Sequence, residues 1–360
     1  MGKNSRIYVA GHNGLVGSAL CRRLDKEGYS NLIVRKHSDL DLTRQKEVDD
    51  FFQTEKPDYV FLAAAKVGGI MANDTYPAEF IYENLAIQNN IIHAAWQTGV
   101  RRLLFLGSSC IYPRECPQPM KEDYFLTGPL EPTNEPYAVA KIAGIKMCQA
   151  YNRQYNTRYL CVMPTNLYGP NDNFDLETSH VLPALIRKFH LAKLAQQEDW
   201  EGIKKDEQKN GAIPEEVKQS MGFNAFFSND QKVDSGFNPS VLLWGSGNPR
   251  REFLHVDDLA DACVFLISLE KDILKKFFDT KHTPLLNIGY GEDLTIKEIA
   301  SIVSEVVGYK GEVHWDKSKP DGIPQKLLDI SQIKRLGWKP TIDLRDGIRN
   351  VYKWYLNSLN

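Results

Sequence analysis

The sequence predicts an α/β chain: a Rossmann-like, doubly wound parallel sheet with a smaller α/β substrate-binding domain. Three observations carry that prediction. Short apolar runs alternate with helical patterns through the first half of the chain. A glycine-rich turn, Gly11-His12-Asn13-Gly14-Leu15-Val16-Gly17, follows the first apolar run at once. The length of 360 residues is a prior for two domains or one large one.

The elements follow in order. Arg6–Ala10 reads as a buried strand and Leu15–Glu27 as a helix. Asn31–Arg35 is a second strand, Thr43–Thr54 is helical, and Tyr59–Ala65 is a third strand. Pro77–Thr98 reads as a long helix, with proline in its first turn and Gly99 as a stop. Arg102–Gly107 is a fourth strand, Pro136–Tyr155 a helix, and Tyr159–Met163 a fifth strand. His180–Leu194 looks helical. Ala195–Ser240 is polar and Gly/Asn/Ser-rich, with weak helical hints at Pro214–Ser220, and reads as an insertion or long loop. Its expected default is an inert surface loop, with a lid or an interface element as alternatives. Strand Val241–Trp244, helix Val256–Leu269, strand Leu285–Ile288, helix Thr295–Val306 and an amphipathic helix Asp343–Leu356 complete the chain, with no internal repeat. The expected division is a nucleotide-binding domain over 1–170, to which later segments return, and a mainly substrate-binding domain over 171–360.

Composition excludes several classes. Lys+Arg 44 against Asp+Glu 46 leaves no basic footprint for nucleic acid. The longest apolar run, Tyr59–Ala65, is far short of a membrane span, and no signal-peptide core is expected. Six cysteines without paired short spacings suggest neither a disulfide framework nor a zinc site, and point to a reduced, cytoplasmic compartment. His255-x-Asp257-Asp258 fits a strand end and a helix N-cap better than a metal site.

Four local patterns carry chemistry. The glycine turn suits a dinucleotide pyrophosphate, because glycine permits close approach and the helix N-terminus offers N–H groups. Arg35-Lys36, at the end of the second strand, suits the 2′-phosphate of NADP(H) rather than the ribose of NAD. Asp41 is either an adenine-rim contact or a cap for the next helix. Tyr137-x-x-x-Lys141 puts a phenol and an ammonium on one helix face. At about 4 Å and an effective dielectric near 20, their attraction is at most ~4 kcal/mol, an upper estimate that would bring the phenol pKa from about 10 towards neutral pH. Ser108 follows the fourth strand, at the sheet edge where ligands bind in open α/β folds.

These residues resemble the extended short-chain dehydrogenase/reductases that act on nucleotide sugars. Longer strings narrow the resemblance to the GDP-L-fucose synthase family: Ala63–Ile70, Gly107–Pro113, Pro164–Pro170, Asn171–Phe174, His180–Leu185 and Trp244–Asp258. It covers nearly the whole chain outside Ala195–Ser240. The resemblance implies C3/C5 epimerisation of GDP-4-keto-6-deoxy-D-mannose, then NADPH-dependent reduction at C4. It implies Cys110 and His180 as the epimerisation acid/base pair, with Ser108, Tyr137 and Lys141 serving reduction. For the cofactor it implies Gly11, Asn13, Gly14, Leu15, Val16, Gly17, Arg35, Lys36, Asp41, Ala63, Ala64, Ala65, Pro164, Asn166 and Leu167, together with Tyr137, Lys141 and His180. Some members carry arginine where Asn13 stands, so the 2′-phosphate contact rests on Arg35 and Lys36. For the GDP-sugar it implies Ser108, Ser109, Cys110, Asn166, Arg187, Lys188, Trp244, Arg251 and Lys326. A homodimer through the helices near Pro77–Thr98 and Pro136–Tyr155 is also implied. The alternatives are another nucleotide-sugar epimerase, dehydratase or reductase of the superfamily, and a non-catalytic NADP-sensing regulator.

Overall fold

The alternation of strand and helix builds a parallel six-stranded sheet. The computed structural model describes residues 1–222, 239–274, 283–319 and 321–359. The first half of the chain runs β1 (Ile7–Ala10), α1 (Leu15–Lys26), β2 (Leu32–Ile33), α2 (Gln45–Glu55), β3 (Tyr59–Leu62), α3 (Ile70–Thr75), α4 (Pro77–Gln97), β4 (Arg102–Leu106), α5 (Glu135–Tyr155) and β5 (Tyr159–Pro164). Next come β6 (Asn166–Tyr168), α6 (Val181–Gln196), α7 (Trp200–Asn210) and α8 (Glu215–Ser220). The remaining strands are β7 (Val241–Trp244), β8 (Arg250–Arg251), β9 (Phe253–His255), β10 (Leu285–Ile288), β11 (Leu294–Thr295), β12 (Val313–Asp316) and β13 (Gln325–Lys326). Helices Val256–Ser268 and Ile296–Val307 are interleaved with these strands, and helix Leu344–Ser358 follows them.

The chain divides into two units. The first comprises Met1–Leu167, Glu252–Glu292 and Leu327–Thr341. Its sheet has the order β10-β5-β4-β3-β1-β2, and every pairing is parallel. Both faces must therefore be covered, and β1, β3 and β5 are buried along their whole length. From β1 the chain steps out to β2, then crosses back to β3 on the other side of β1. The carboxyl ends at such a switch point form the ligand crevice of doubly wound sheets. Strand β3 ends at Leu62, so Ala63–Ala65 leave the sheet at that edge rather than continuing it.

The second unit comprises Tyr168–Arg251, Asp293–Lys326 and Ile342–Asn360. It holds the small sheets β11-β8-β13 and β12-β7. The expectation of a loop over Ala195–Ser240 is corrected for its described part. Asp199 caps α7 by accepting from the Gly202 amide at 2.9 Å. Ile203, Ile213, Val217 and Met221 are buried, so α7 and α8 contribute to the core of this unit. They were hard to read because each helix has so few apolar positions that its period is faint. Residues 223–238 of that expected insertion lie outside the described residues.

Candidate active site

The glycine turn is tight for reasons the backbone makes plain. Gly11 has φ 84°, and a Cβ there would lie 2.8 Å from the Ala64 backbone. A Cβ at Gly17 would lie 2.0 Å from the Gly11 carbonyl oxygen. It is the backbone of Ala63 and Ala64 that lies against this turn. Gly14 differs. Its φ of −79° suits any residue, and an added Cβ would meet nothing closer than 3.6 Å. The protein itself does not require glycine there, which fits space kept open for a pyrophosphate. Gly14 is also the N-cap of α1, with no side-chain cap and no acid in the first turn. Asn13 and Gly14 are exposed, and Leu15 and Val16 half-buried.

The basic pair after β2 divides. Arg35 pairs with Glu55 and donates to the Val34 carbonyl at 2.8 Å. Lys36 is exposed and makes no side-chain bond among the described residues. Of the two, Lys36 is the cation with no competing carboxylate. Asp41 accepts from the Thr43 amide at 2.9 Å and its hydroxyl at 2.7 Å, the local turn-forming role. Those bonds hold its carboxyl below the usual range.

The end of β4 and the first turns of α5 bring the reductive residues together. Ser108 caps the short turn Ser109–Ile111, accepting from the Cys110 amide at 3.4 Å. Its hydroxyl shares a hydrogen bond with the Tyr137 phenol. Cys110 is buried and lies close enough to Tyr137 and Lys141 to act on both electrostatically. Ser109 is buried beside it. Lys141 is 3% exposed and donates to the Leu106 carbonyl at 2.9 Å. Burial lowers its pKa to about 8.

The expected pull on Tyr137 is not what the structure has. The Lys141 amine lies 5.7 Å from the Tyr137 ring centre and spends its bond on Leu106. Burial, then the neighbouring Cys110, push the phenol well above its ordinary pKa, against the Ser108 bond. The phenol is therefore protonated, the form a proton donor needs.

Pro164 ends β5, and Asn166 and Leu167 begin β6. The Asn166 amide donates to the Glu252 carbonyl at 2.8 Å, and the Thr165 hydroxyl bonds the same oxygen at 3.3 Å. The Glu252 carboxylate is fully buried and accepts from the amides of Gly291 at 2.7 Å and Leu328 at 3.0 Å. Sequence reasoning passed over this acid. Its signal was faint, an acid between Arg251 and the mostly apolar run Phe253–Val256.

The second unit places the other candidates. His180 is exposed at the N-cap of α6, and desolvation and then Lys326 lower its imidazole pKa. A neutral imidazole can accept a proton near neutral pH. Strands β8 and β13 pair Arg251 with Lys326 across a parallel register. Desolvation lowers the Arg251 pKa, while Asp321 opposes it. The guanidinium lies close to Gly322, where a Cβ would come within 2.9 Å of it. Trp244 is 46% exposed, with the Lys319 ammonium 4.9 Å above its ring. Lys188 donates to the Leu242 carbonyl at 3.1 Å, supporting β7 next to Trp244.

Arg187 is the clear correction. It is fully buried, pairs with Asp206 at 2.7 Å, and donates to the carbonyls of Phe174, Asn210 and Gly211. A guanidinium with no exposed surface and four of its five donors engaged inside the fold presents no open face to a diphosphate. Asp206 comes from α7, the segment read as a loop, so its partnership had no local signal. His255 caps helix Val256–Ser268, its Nδ1 accepting from the Asp257 amide at 3.2 Å.

Comparison with known proteins places this geometry. The NAD dependent epimerase/dehydratase family model matches residues 7–205 and 224–277. The chain belongs to that family. Within it, the chain is 52% identical to a putative GDP-L-fucose synthase 2 of Arabidopsis thaliana, over 99% of this chain and 93% of that protein. It is 48% identical to the GDP-L-fucose synthase of Escherichia coli, over 98% and 97%. Membership of the GDP-L-fucose synthase branch follows. A solved GDP-6-OMe-4-keto-L-xylo-heptose reductase from Campylobacter jejuni is 42% identical, with TM-score 0.86 and 99% of each chain covered.

Proposed function

We propose that this protein converts GDP-4-keto-6-deoxy-D-mannose to GDP-L-fucose by C3/C5 epimerisation and NADPH-dependent reduction at C4. The observation that carries it is the group of half-buried Ser108 and Tyr137 with buried Cys110 and Lys141 at the β4 edge, in a chain about half identical to the synthases. The first unit is the NADP-binding domain and the second mainly the GDP-sugar domain. Gly11–Gly17, Lys36, Ala63–Ala65, Pro164, Asn166 and Leu167 hold the cofactor. NADPH, when bound, supplies the hydride that reduces the C4 ketone.

The chain's own residues do the rest. The C3 and C5 protons are acidic because both are α to the ketone, and removing either leaves an enolate. Cys110 and His180 exchange these protons, one removing and the other returning a proton on the opposite face, which inverts the centre. Ser108 donates a hydrogen bond to the C4 oxygen, where negative charge develops. Tyr137 gives that oxygen its proton, and Lys141 neutralises the tyrosinate that results. Arg251 and Lys326 take the diphosphate, and Trp244 covers the base or sugar.

Incubation with GDP-4-keto-6-deoxymannose and NADPH in deuterated water tests this. Loss of NADPH absorbance, a fucosyl product and deuterium at C3 and C5 are expected. Absence of both turnover and exchange would overturn it. Reduction without deuterium would instead favour a simple C4 reductase, the activity in the name of the Campylobacter relative.

A homodimer through α4 and α5 is part of the proposal. Tyr82, Val139 and Tyr155 on these helices are exposed apolar residues, and Tyr155 stacks on Trp96. A monomer mass by light scattering would remove it. A cytoplasmic location is supported by the six cysteines, none of them in a disulfide among the described residues. No helix among the described residues is long and apolar enough to cross a membrane.

A further inference from the structure

Cys110 stands on a segment with little rigidity of its own. The turn Ser109–Ile111 is a single 3₁₀ turn, and its closing bonds, Ile111 to Ser108 at 3.3 Å and Tyr112 to Ser109 at 3.5 Å, are long. On the N-terminal side it is anchored by β4 and by the Gly107 amide, which donates to the Val162 carbonyl at 2.9 Å. On the C-terminal side the anchor is Tyr112.

Tyr112 is buried, and its phenol donates to Asn287 Oδ1 at 2.6 Å. Asn287 sits on β10, opposite Met163 in the register with β5, with no exposed surface. Its side-chain amide donates to the carbonyls of Met120 at 2.9 Å and Asp329 at 3.2 Å. Its backbone amide donates to the Glu122 carboxylate at 3.1 Å. Met120 and Leu328 form a parallel bridge beside it, closed by Met120 to Leu327 at 2.7 Å and Asp329 to Met120 at 2.8 Å. One asparagine therefore ties the turn carrying Cys110 to the edge strand, to the loop after it and to the segment near Leu328. Asn287 has its acceptor and both side-chain donors engaged, which makes it a rigid anchor.

The reductive residues have anchors of their own. Tyr137 and Lys141 ride on α5, and Lys141 is fixed by Leu106 on β4. Ser108 caps the turn through a long 3.4 Å bond to the Cys110 amide, and is held on its other side by Tyr137. We propose that the Tyr112–Asn287 hydrogen bond positions Cys110 for proton exchange at C3 and C5, separately from reduction at C4. Tyr112 and Asn287 are positioning residues and touch no substrate. The inference rests on the proposed epimerase-reductase activity.

The test is Tyr112→Phe, which keeps the ring and removes the bond. Deuterium exchange at C3 and C5 should fall about tenfold, the scale of one lost hydrogen bond to a reacting group's support. NADPH-dependent reduction should stay within about threefold, so the product mixture gains GDP-6-deoxyhexose that keeps the original C3 and C5 configuration. Asn287→Ala should do the same, and the double variant should be no worse than the poorer single one. Should Asn287→Ala fail to fold, Tyr112→Phe carries the test alone. Equal loss of exchange and reduction, or no loss of either, would overturn the positioning role. Wild-type protein without any exchange would instead overturn the proposed function, which keeps the two failures apart.

Discussion

Lys141 and Arg187 are both buried cations, and their surroundings are opposite. Arg187 has a carboxylate at 2.7 Å and three backbone carbonyls around it. Lys141 has one carbonyl, Leu106, two aromatic rings and no carboxylate partner among its described contacts. The first charge is compensated by the protein. The second is left costly, and burial lowers its pKa to about 8. A compensated charge holds a fold together, whereas an uncompensated one is relieved by bringing negative charge near it. In the proposed reaction, the tyrosinate left when Tyr137 gives up its proton is that charge.

The largest expected effect breaks the compensated side. Arg187→Met leaves Asp206 buried with its cation gone, and should cost about 3–5 kcal/mol of stability in urea unfolding. Adding Asp206→Leu should recover much of that loss. If Arg187→Met leaves stability intact and abolishes GDP-sugar affinity, Arg187 belongs to the substrate site after all.

The next test sharpens the uncompensated side. The folded pKa of Lys141 is about 8, below the ordinary lysine range near 10.4. Between those values the unfolded chain binds more protons than the folded one, so stability from this group rises with pH. At neutral pH the strain is about 3 kcal/mol in order of magnitude. The stability difference between wild type and Lys141→Met should therefore shift in favour of wild type from pH 8 to pH 10. A flat difference would mean that Lys141 is compensated in solution.

The smallest effect concerns Arg251, which lies between the two extremes, half-buried beside Lys326. Arg251→Ala should raise KM for the GDP-sugar about tenfold with little change in melting midpoint. A large fall in the midpoint with unchanged KM would place it with Arg187.

The sequence makes some of this legible and hides the rest for a physical reason. The Gly11–Gly17 turn and Tyr137-x-x-x-Lys141 are local patterns, and local spacing sets their geometry. The strands around the switch point were readable from short apolar runs, with β2 two residues long where five were expected. Arg187 and Arg251 look alike in sequence, because what separates them is a partner elsewhere in the chain. Asp206 lies 19 residues from Arg187, in a helix with only Ile203 as a buried apolar residue. Asn287 is 175 residues from Tyr112, and nothing local announces the pairing. The expected Tyr137–Lys141 attraction failed because spacing gives proximity but not burial, and burial sets both pKa values.

The Arg187 cluster also bears on how the chain is made. Its carboxylate, Asp206, accepts a further hydrogen bond from Tyr355 in the helix Leu344–Ser358. The guanidinium and the acid emerge from the ribosome within 19 residues of each other, but the phenol emerges 149 residues after the acid. Until the last helix has been synthesised, Asp206 and Arg187 can meet but cannot be sealed from water. The second unit is then open to proteases and to association with other nascent chains for most of its synthesis.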